Sequence, residues 1–183
     1  TLLKIMNIVF TPTEAAAIVQ VPTKRVYKEL EYAIVPSSNP PRLPFEALVY
    51  LRALKEVDFT FSVDFRTVLY KRLVDAIANN SASLEIARYF ILQLDVISNE
   101  LSELINRFNN WKESLVTNPA IMGGETVFSS SRLTVRHIGT MLERGESEEV
   151  IVEDYPYLSK EDMEFALIYT RAYPVIGRPK NPQ

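Results

Sequence analysis

Apolar residues recur at helical spacing along most of the chain, and capping residues mark where several helices begin. Thr11-Pro12-Thr13-Glu14 has the order of a capping box with proline in the first turn, so it predicts a helix start. Val21-Pro22 ends this helix. A second helix is predicted over residues 23–32, with Val26 and Leu30 on one face. Two short helices separated by a tight turn predict a helix-turn-helix unit.

The next segment has two short apolar ends around Pro36-Ser37-Ser38-Asn39-Pro40-Pro41, which predicts a turn or a small β-wing over residues 34–43. A helix with a leucine-rich inner face is predicted over residues 45–57. The order helix, turn, helix, wing, helix is that of a winged helix-turn-helix domain. Over about the first 60 residues, the chain loosely resembles the domain of the mercury-resistance-regulator (MerR-like) family.

The middle of the chain predicts an amphipathic helix over residues 63–78, ended by Asn79-Asn80-Ser81. Residues 84–94 alternate and are rich in β-branched and aromatic side chains, which predicts a strand. A lone strand leaves backbone groups unpaired, and no neighbouring segment offers an obvious partner. We therefore expect it to pair with the same strand of a second copy. A long helix over residues 96–115 completes this dimerisation segment.

The C-terminal third begins with a turn at Thr117-Asn118-Pro119. Thr126-Val127-Phe128 and Leu133-Thr134 predict a small hairpin. Gly145 suits a left-handed helix end, and serines stand where the last two helices start. The three predicted helices are residues 135–144, 147–154 and 160–172.

The fold expected from these patterns is mainly α, with two small helix-turn-helix domains. Four parts are predicted: a winged helix-turn-helix over 1–60, a strand-and-helix dimerisation segment over 61–116, a homeodomain-like helix-turn-helix over 117–173 and an extended tail over 174–183.

Composition narrows the function classes. The chain has no cysteine and one histidine, His137, which lacks a spaced second ligand and is expected to be structural rather than a metal ligand or general base. The sequence shows no glycine-rich phosphate-binding loop, no nucleophile motif and no carboxylate pair at catalytic spacing. Nothing in it therefore predicts catalysis. No apolar run reaches the ~20 residues that span a bilayer. We therefore expect a cytoplasmic protein that is not an enzyme and has no metal or cofactor.

The formal charge of −3 is unevenly distributed, with 10 Lys and Arg against 8 Asp and Glu in residues 1–80 but 10 against 15 in residues 81–183. DNA affinity would therefore come from local basic faces. The N-terminal unit has the more basic second helix, whereas acids crowd the last C-terminal helix. The expected DNA contacts are Lys24, Arg25, Tyr27 and Lys28 on the reading helix and Arg42 at the wing, with Arg132 and Arg136 as possible backbone contacts of the C-terminal unit.

The stretches NPAIMGGETVF and SRLTVRHIGTMLERGESEEVIVEDYPYL carry a recognisable pattern between Pro119 and Leu158. A hairpin is followed by an Arg-Leu-Thr-Val turn into a helix, then Gly-x-Ser-x-Glu-Glu-Val and Asp-Tyr-Pro-x-Leu. This resembles a compact helical domain of bacterial antitoxins of VapB type. Ser129-Ser130-Ser131 departs from the Arg-Gly-Thr common in that family, which removes a basic residue.

The resemblance implies a protein that represses its own operon as a dimer on operator DNA and neutralises a ribonuclease toxin of the PIN-domain class. Gly177-Arg178-Pro179 matches the tail of longer members. A PIN-type active site clusters carboxylates around Mg²⁺, and an arginine pairs with carboxylates through two hydrogen bonds. Arg178 is the expected toxin contact, supported by Arg171 and Lys180.

Two other functions remain open on the sequence. One is a stand-alone dimeric transcription regulator without a toxin, whose C-terminal domain binds a small molecule or a protein. The other is an interaction scaffold that does not bind DNA, since many helix-turn-helix shapes do not and Lys24, Arg25 and Lys28 also suit a solvated helix face.

Overall fold

The computed structural model describes residues 7–57 and 60–175 and is mainly helical. The chain divides into two compact units, Thr1–Ser114 and Leu115–Gln183. The first contains helices α1 Pro12–Val19, α2 Thr23–Glu31, α3 Phe45–Lys55, α4 Val63–Ala78 and α5 Leu94–Glu113, with strands β1 Ser83–Ala87 and β2 Phe90–Gln93. The second contains strands β3 Val116–Thr117 and β4 Thr126–Val127, a 3-10 turn Met122–Gly124, and helices α6 Val135–Glu143, α7 Glu148–Asp154 and α8 Lys160–Ala172.

The start of α1 confirms the predicted capping box. The Thr11 hydroxyl accepts a hydrogen bond from the Glu14 amide, and the Glu14 carboxylate accepts one from the Thr11 amide. Gln20 ends the helix in the left-handed conformation, at φ 61°. Pro22 then immediately precedes α2. Two short helices therefore meet through a tight turn, as the sequence predicts.

Helix α3 is the centre of the first unit. It packs against α1, α4 and α5, and almost every side chain along it is buried. Phe45, Leu48, Tyr50 and Leu51 are fully buried. A helix that is apolar on nearly all sides belongs in a core, so α3 provides the support against which α1, α4 and α5 pack.

The β-wing predicted over residues 34–43 is not confirmed, since residues 36–41 are a loop with a bend at residues 39–40. Residues 36–41 form no strand. Backbone hydrogen bonds join Leu43 to Phe10 in both directions, at 2.8 and 2.9 Å, as a single antiparallel bridge. The prolines in this loop lack amide donors, so the segment cannot supply a continuous ladder.

The lone strand predicted over residues 84–94 is also wrong. The segment is a hairpin in which β1 pairs antiparallel with β2, with an irregularity between Glu85 and Ala87. Tyr89 makes the turn with a φ of 75°, and β1 contacts α4. The strand therefore has its partner within the same chain, so unpaired backbone groups do not argue for a dimer.

In the second unit, β4 pairs with β3, which lies where the sequence predicts a turn at Thr117-Asn118-Pro119. The predicted pairing with Leu133-Thr134 survives as one bridge from Val127 to Thr134. Thr134, Ser147 and Ser159 each cap the helix that follows through the side-chain oxygen. Gly145 has a φ of 88°, as expected of a left-handed helix end.

Helices α6 and α8 form the main contact of the second unit, and Gly139 allows their close approach. A methyl group at Gly139 would overlap the Thr170 side chain and the Ala166 carbonyl oxygen. Thr170 is itself buried and donates its hydroxyl hydrogen bond to Ala166, at 2.8 Å. The glycine is therefore required by space, since its backbone is ordinary helix.

We expect Gly139→Ala to destabilise the second unit by about 2 kcal/mol, because a well-packed helix contact must open to admit the methyl group. Hydrogen exchange followed by mass spectrometry should show faster exchange of α6 and α8 amides, by roughly 30-fold. The control Thr140→Ala, at a half-buried neighbouring position, should change exchange little. Unchanged exchange in Gly139→Ala would contradict the close contact.

Candidate nucleic-acid interface

Helix α2 presents a basic face to solvent. Lys24, Tyr27 and Lys28 are exposed, with 49% of the Tyr27 surface accessible, whereas Val26 and Glu29 are buried. Spacings of three and four residues place the three exposed side chains on one side of the helix. In the described part of the chain, neither Lys24 nor Lys28 forms an ion pair. The face can therefore receive phosphate oxygens.

Arg25 has a different role from its neighbours. Its Nη2 donates a hydrogen bond to the backbone carbonyl of Leu54 at 3.1 Å. Leu54 lies in the last turn of α3, where carbonyl groups lack helical partners and carry partial negative charge. Arg25 is thus half-buried and joins α2 to the end of α3, while the other predicted contacts on α2 point outward.

A buried polar cluster of Glu29, Tyr50 and Arg66 holds α2 from beneath. Glu29 is 2% exposed and accepts hydrogen bonds from the Tyr50 hydroxyl, at 2.9 Å, and from Arg66 Nη1. The three side chains come from α2, α3 and α4. The Arg66 guanidinium also lies 5.8 Å from the centre of the Tyr32 ring. Hydrogen bonds between buried polar side chains of three helices fix the orientation of the elements that they join.

Two tyrosines in this core hold their protons more tightly than usual. Burial, and then the nearby Glu46 carboxylate, raise the pKa of Tyr70 to about 12. Burial, and then Glu29, raise the pKa of Tyr50 well above its ordinary value. The two rings meet edge to face, with centroids 5.3 Å apart. The folded unit therefore keeps phenol protons at a pH where the unfolded chain releases them.

We expect the free energy of unfolding to fall as the pH rises above about 10, the ordinary tyrosine pKa. The unfolded chain loses protons from that pH, whereas the folded chain retains them until about 12 at Tyr70, so alkali favours unfolding. Urea titrations should show a shallower decline for Tyr70→Phe. The exposed control Tyr27→Phe should match the parent. Equal slopes for Tyr70→Phe and the parent would contradict the burial effect.

Two further basic side chains lie outside α2. Arg42 is exposed and donates to the carbonyl of its neighbour Pro41 at 3.0 Å. Lys55, which the sequence analysis did not select, lies 3.4 Å from the Gln20 side chain at the turn between α1 and α2. Lys55 lies 35 residues after Gln20 in the chain, so no local sequence pattern predicts this contact.

The basic residues predicted in the second unit are mostly engaged with its own acids. Arg136 Nε lies 3.9 Å from a Glu125 oxygen, and Arg171 Nε lies 3.2 Å from a Glu143 oxygen. Arg132 is exposed. Arg178 and Lys180, the other expected toxin contacts, lie outside the described residues. The first unit thus presents the more accessible positive charge.

His137 is exposed, and its Nε2 lies 3.3 Å from the Tyr155 hydroxyl. Among residues 7–57 and 60–175, no cluster of three or more histidine or carboxylate side chains is arranged to hold a metal ion. Over the same residues, no helix has the length and apolarity to cross a membrane.

Comparison with known proteins finds a similarity within the second unit. Residues 115–170 match a family described as a protein of unknown function, DUF433. No curated protein matches the chain. The chain is similar to a crystal structure of Rv2018 from Mycobacterium tuberculosis. The match covers 86% of this chain and 96% of the Rv2018 chain, at 16% sequence identity and a TM-score of 0.29.

Proposed function

We propose that this protein is a cytoplasmic, non-enzymatic antitoxin that represses its own operon as a dimer and neutralises a PIN-type ribonuclease. The observation that carries the DNA-binding part is the exposed basic face of α2. Lys24 and Lys28 stand there without ion pairs in the described residues, and Tyr27 lies between them. The antitoxin part is supported by the sequence resemblance between Pro119 and Leu158.

The proposed reading mode places α2 in the major groove. A second helix of a helix-turn-helix enters the groove while the first lies across the backbone. Support comes from the tight turn at Gln20 and from the buried Glu29, which fix the helix on the side away from solvent. Lysines contribute phosphate contacts, and Tyr27 can contact either a base edge or a phosphate. Arg42 and Lys55 extend the contact along the backbone.

A dimer would form through exposed side chains of the β1–β2 hairpin and not through pairing of strands from two copies. Tyr89, Phe90 and Ile91 are 83%, 55% and 58% exposed, and Val96 on α5 is 49% exposed. Exposed apolar side chains at three successive positions of the hairpin favour a protein contact. A two-fold dimer would set two α2 helices about 34 Å apart, one turn of DNA, on a palindromic site.

The toxin contact is proposed for the C-terminal end. Arg178 would enter the carboxylate-rich active site of the ribonuclease, with Lys180 beside it and Arg171 released from Glu143. The three prolines in residues 174–183 restrict φ, so binding of this segment would carry a modest entropic cost. In the second unit, Arg132 and Arg136 would contact DNA backbone.

One assay tests the proposed DNA binding, and a second tests the proposed toxin neutralisation. A mobility-shift titration with the protein's own promoter should give binding that weakens steeply with salt, and a scrambled fragment should bind more weakly. Co-expression with the adjacent gene should yield a complex that lacks ribonuclease activity, and Arg178→Ala should restore activity whereas Arg144→Ala should not. Promoter binding without a toxin complex would favour the stand-alone regulator. The scaffold alternative would follow if the protein showed no salt-sensitive binding to its own promoter.

A further inference from the structure

An open cleft lies beside α2, and Lys28 but not Lys24 is among the residues that line it. Its volume is about 520 Å³, within the range of pockets that hold small organic molecules. Its lining includes the basic residues Arg25, Lys28 and Arg66 and the apolar residues Leu54, Phe61 and Val63. A lining with both kinds of side chain suits a ligand with an acidic group on an apolar body.

Basic side chains outnumber acidic ones among the described residues that line the cleft. Glu29 is the one carboxylate in that described lining, and both of its oxygens already accept hydrogen bonds, from Tyr50 and Arg66. Arg66 is paired with this acid, which leaves Lys28 and Arg25 without a carboxylate partner in the described lining. A carboxylate bound among them would gain from charge-assisted hydrogen bonds, which are stronger than neutral ones.

Arg66 supplies a second, independent observation. Its Nε is buried and has no hydrogen-bond partner among the described residues, although Nη1 binds Glu29. A buried donor without a partner is costly, so native structures usually provide one. The Arg66 side chain is 15% exposed, so a ligand oxygen would reach this donor once the guanidinium turns toward the cleft.

We propose that the cleft binds a small aromatic carboxylate. The carboxylate would lie between Lys28 and Arg66, and the ring would lie against Leu54, Phe61 and Val63. The Tyr32 ring, which also lines the cleft, offers a surface for stacking. The size of the cleft suits one or two fused rings.

Binding of this anion would oppose DNA binding. This coupling rests on the proposed function. Lys28 belongs both to the cleft and to the exposed basic face of α2. A carboxylate that holds Lys28 removes one phosphate contact and adds negative charge next to the reading helix. A ligand that favours the DNA-free protein must by linkage bind more weakly when DNA is present.

The test uses the full chain at neutral pH and 2-naphthoate as the probe, with 2-naphthamide as the uncharged analogue. Calorimetry should detect naphthoate binding that is at least about tenfold tighter than naphthamide binding, because the amide cannot pair with the cations. Lys28→Gln should weaken naphthoate by about tenfold. Lys24→Gln, on the same helix but outside the cleft, should leave naphthoate affinity unchanged while weakening promoter binding.

Equal affinity for the two probes, or no effect of Lys28→Gln, would overturn the anion site. In a separate mobility-shift assay, naphthoate should weaken promoter binding by the parent chain, and unchanged binding would overturn the coupling. If naphthoate binds and promoter DNA does not, the proposed function fails and the cleft remains a ligand site. If DNA binds and naphthoate does not, the cleft proposal alone fails.

Discussion

Replacing Glu29 by alanine should lower the free energy of unfolding of the first unit by about 3–5 kcal/mol. The substitution leaves the buried Arg66 guanidinium without its carboxylate and the Tyr50 hydroxyl without its acceptor. Breaking one member of a buried ion pair costs more than the pair itself contributes, because the remaining charge stays out of water. A loss of this size is a large fraction of the 5–15 kcal/mol that keeps ordinary domains folded.

Urea unfolding followed by Trp111 fluorescence measures this loss, because the single tryptophan lies buried in α5 of the same unit. The control Glu31→Ala, exposed on the same helix, should stay within about 0.5 kcal/mol of the parent. Replacing Glu29 and Arg66 by methionine together with Tyr50→Phe should recover most of the stability, since apolar groups then fill the site. A loss below about 1 kcal/mol in Glu29→Ala would mean that the network does not hold α2.

The helices of this protein could be predicted where the sequence carries local signals. Thr11 with Glu14, and Ser159 with Asp162, form the capping boxes that their spacing predicts. The predicted range 63–78 matches α4 exactly in both bounds. These signals lie within three or four residues of one another, so a single sequence suffices to read them.

The hairpin was missed because its turn lacks the usual residues. Two-residue hairpin turns favour glycine, asparagine or aspartate, which tolerate positive φ. Here Arg88 and Tyr89 make the turn, and Tyr89 adopts a φ of 75°. Nothing in the local sequence marks a chain reversal, so residues 84–94 read as one continuous strand.

The polar support of the candidate site was missed for a different reason. Arg66 lies 37 residues from Glu29, and no local pattern pairs residues so far apart. The exposed Lys24, Tyr27 and Lys28 could be selected, because helical spacing and the apolar Val26 fix their face. The different role of Arg25 could not be predicted in this way, because its hydrogen bond to the Leu54 carbonyl is a tertiary contact.

The second large effect is expected on DNA affinity. The double variant Lys24→Ala with Lys28→Ala should bind the promoter about 100-fold more weakly at low salt, because it loses two charged contacts per subunit. Both lysines are exposed, so the fold should keep its stability. The matched control Lys71→Ala with Lys160→Ala removes the same charge from exposed positions outside α2.

The dependence of promoter affinity on salt concentration tests the basic face of α2 most directly. The logarithm of the binding constant should fall linearly with the logarithm of salt concentration, with a slope near −0.9 for each phosphate contacted. In the α2 double variant the slope should become shallower by about 2 per subunit, while the Lys71 and Lys160 control retains the slope of the parent. If the α2 variant keeps the slope and affinity of the parent, this helix does not lie on DNA.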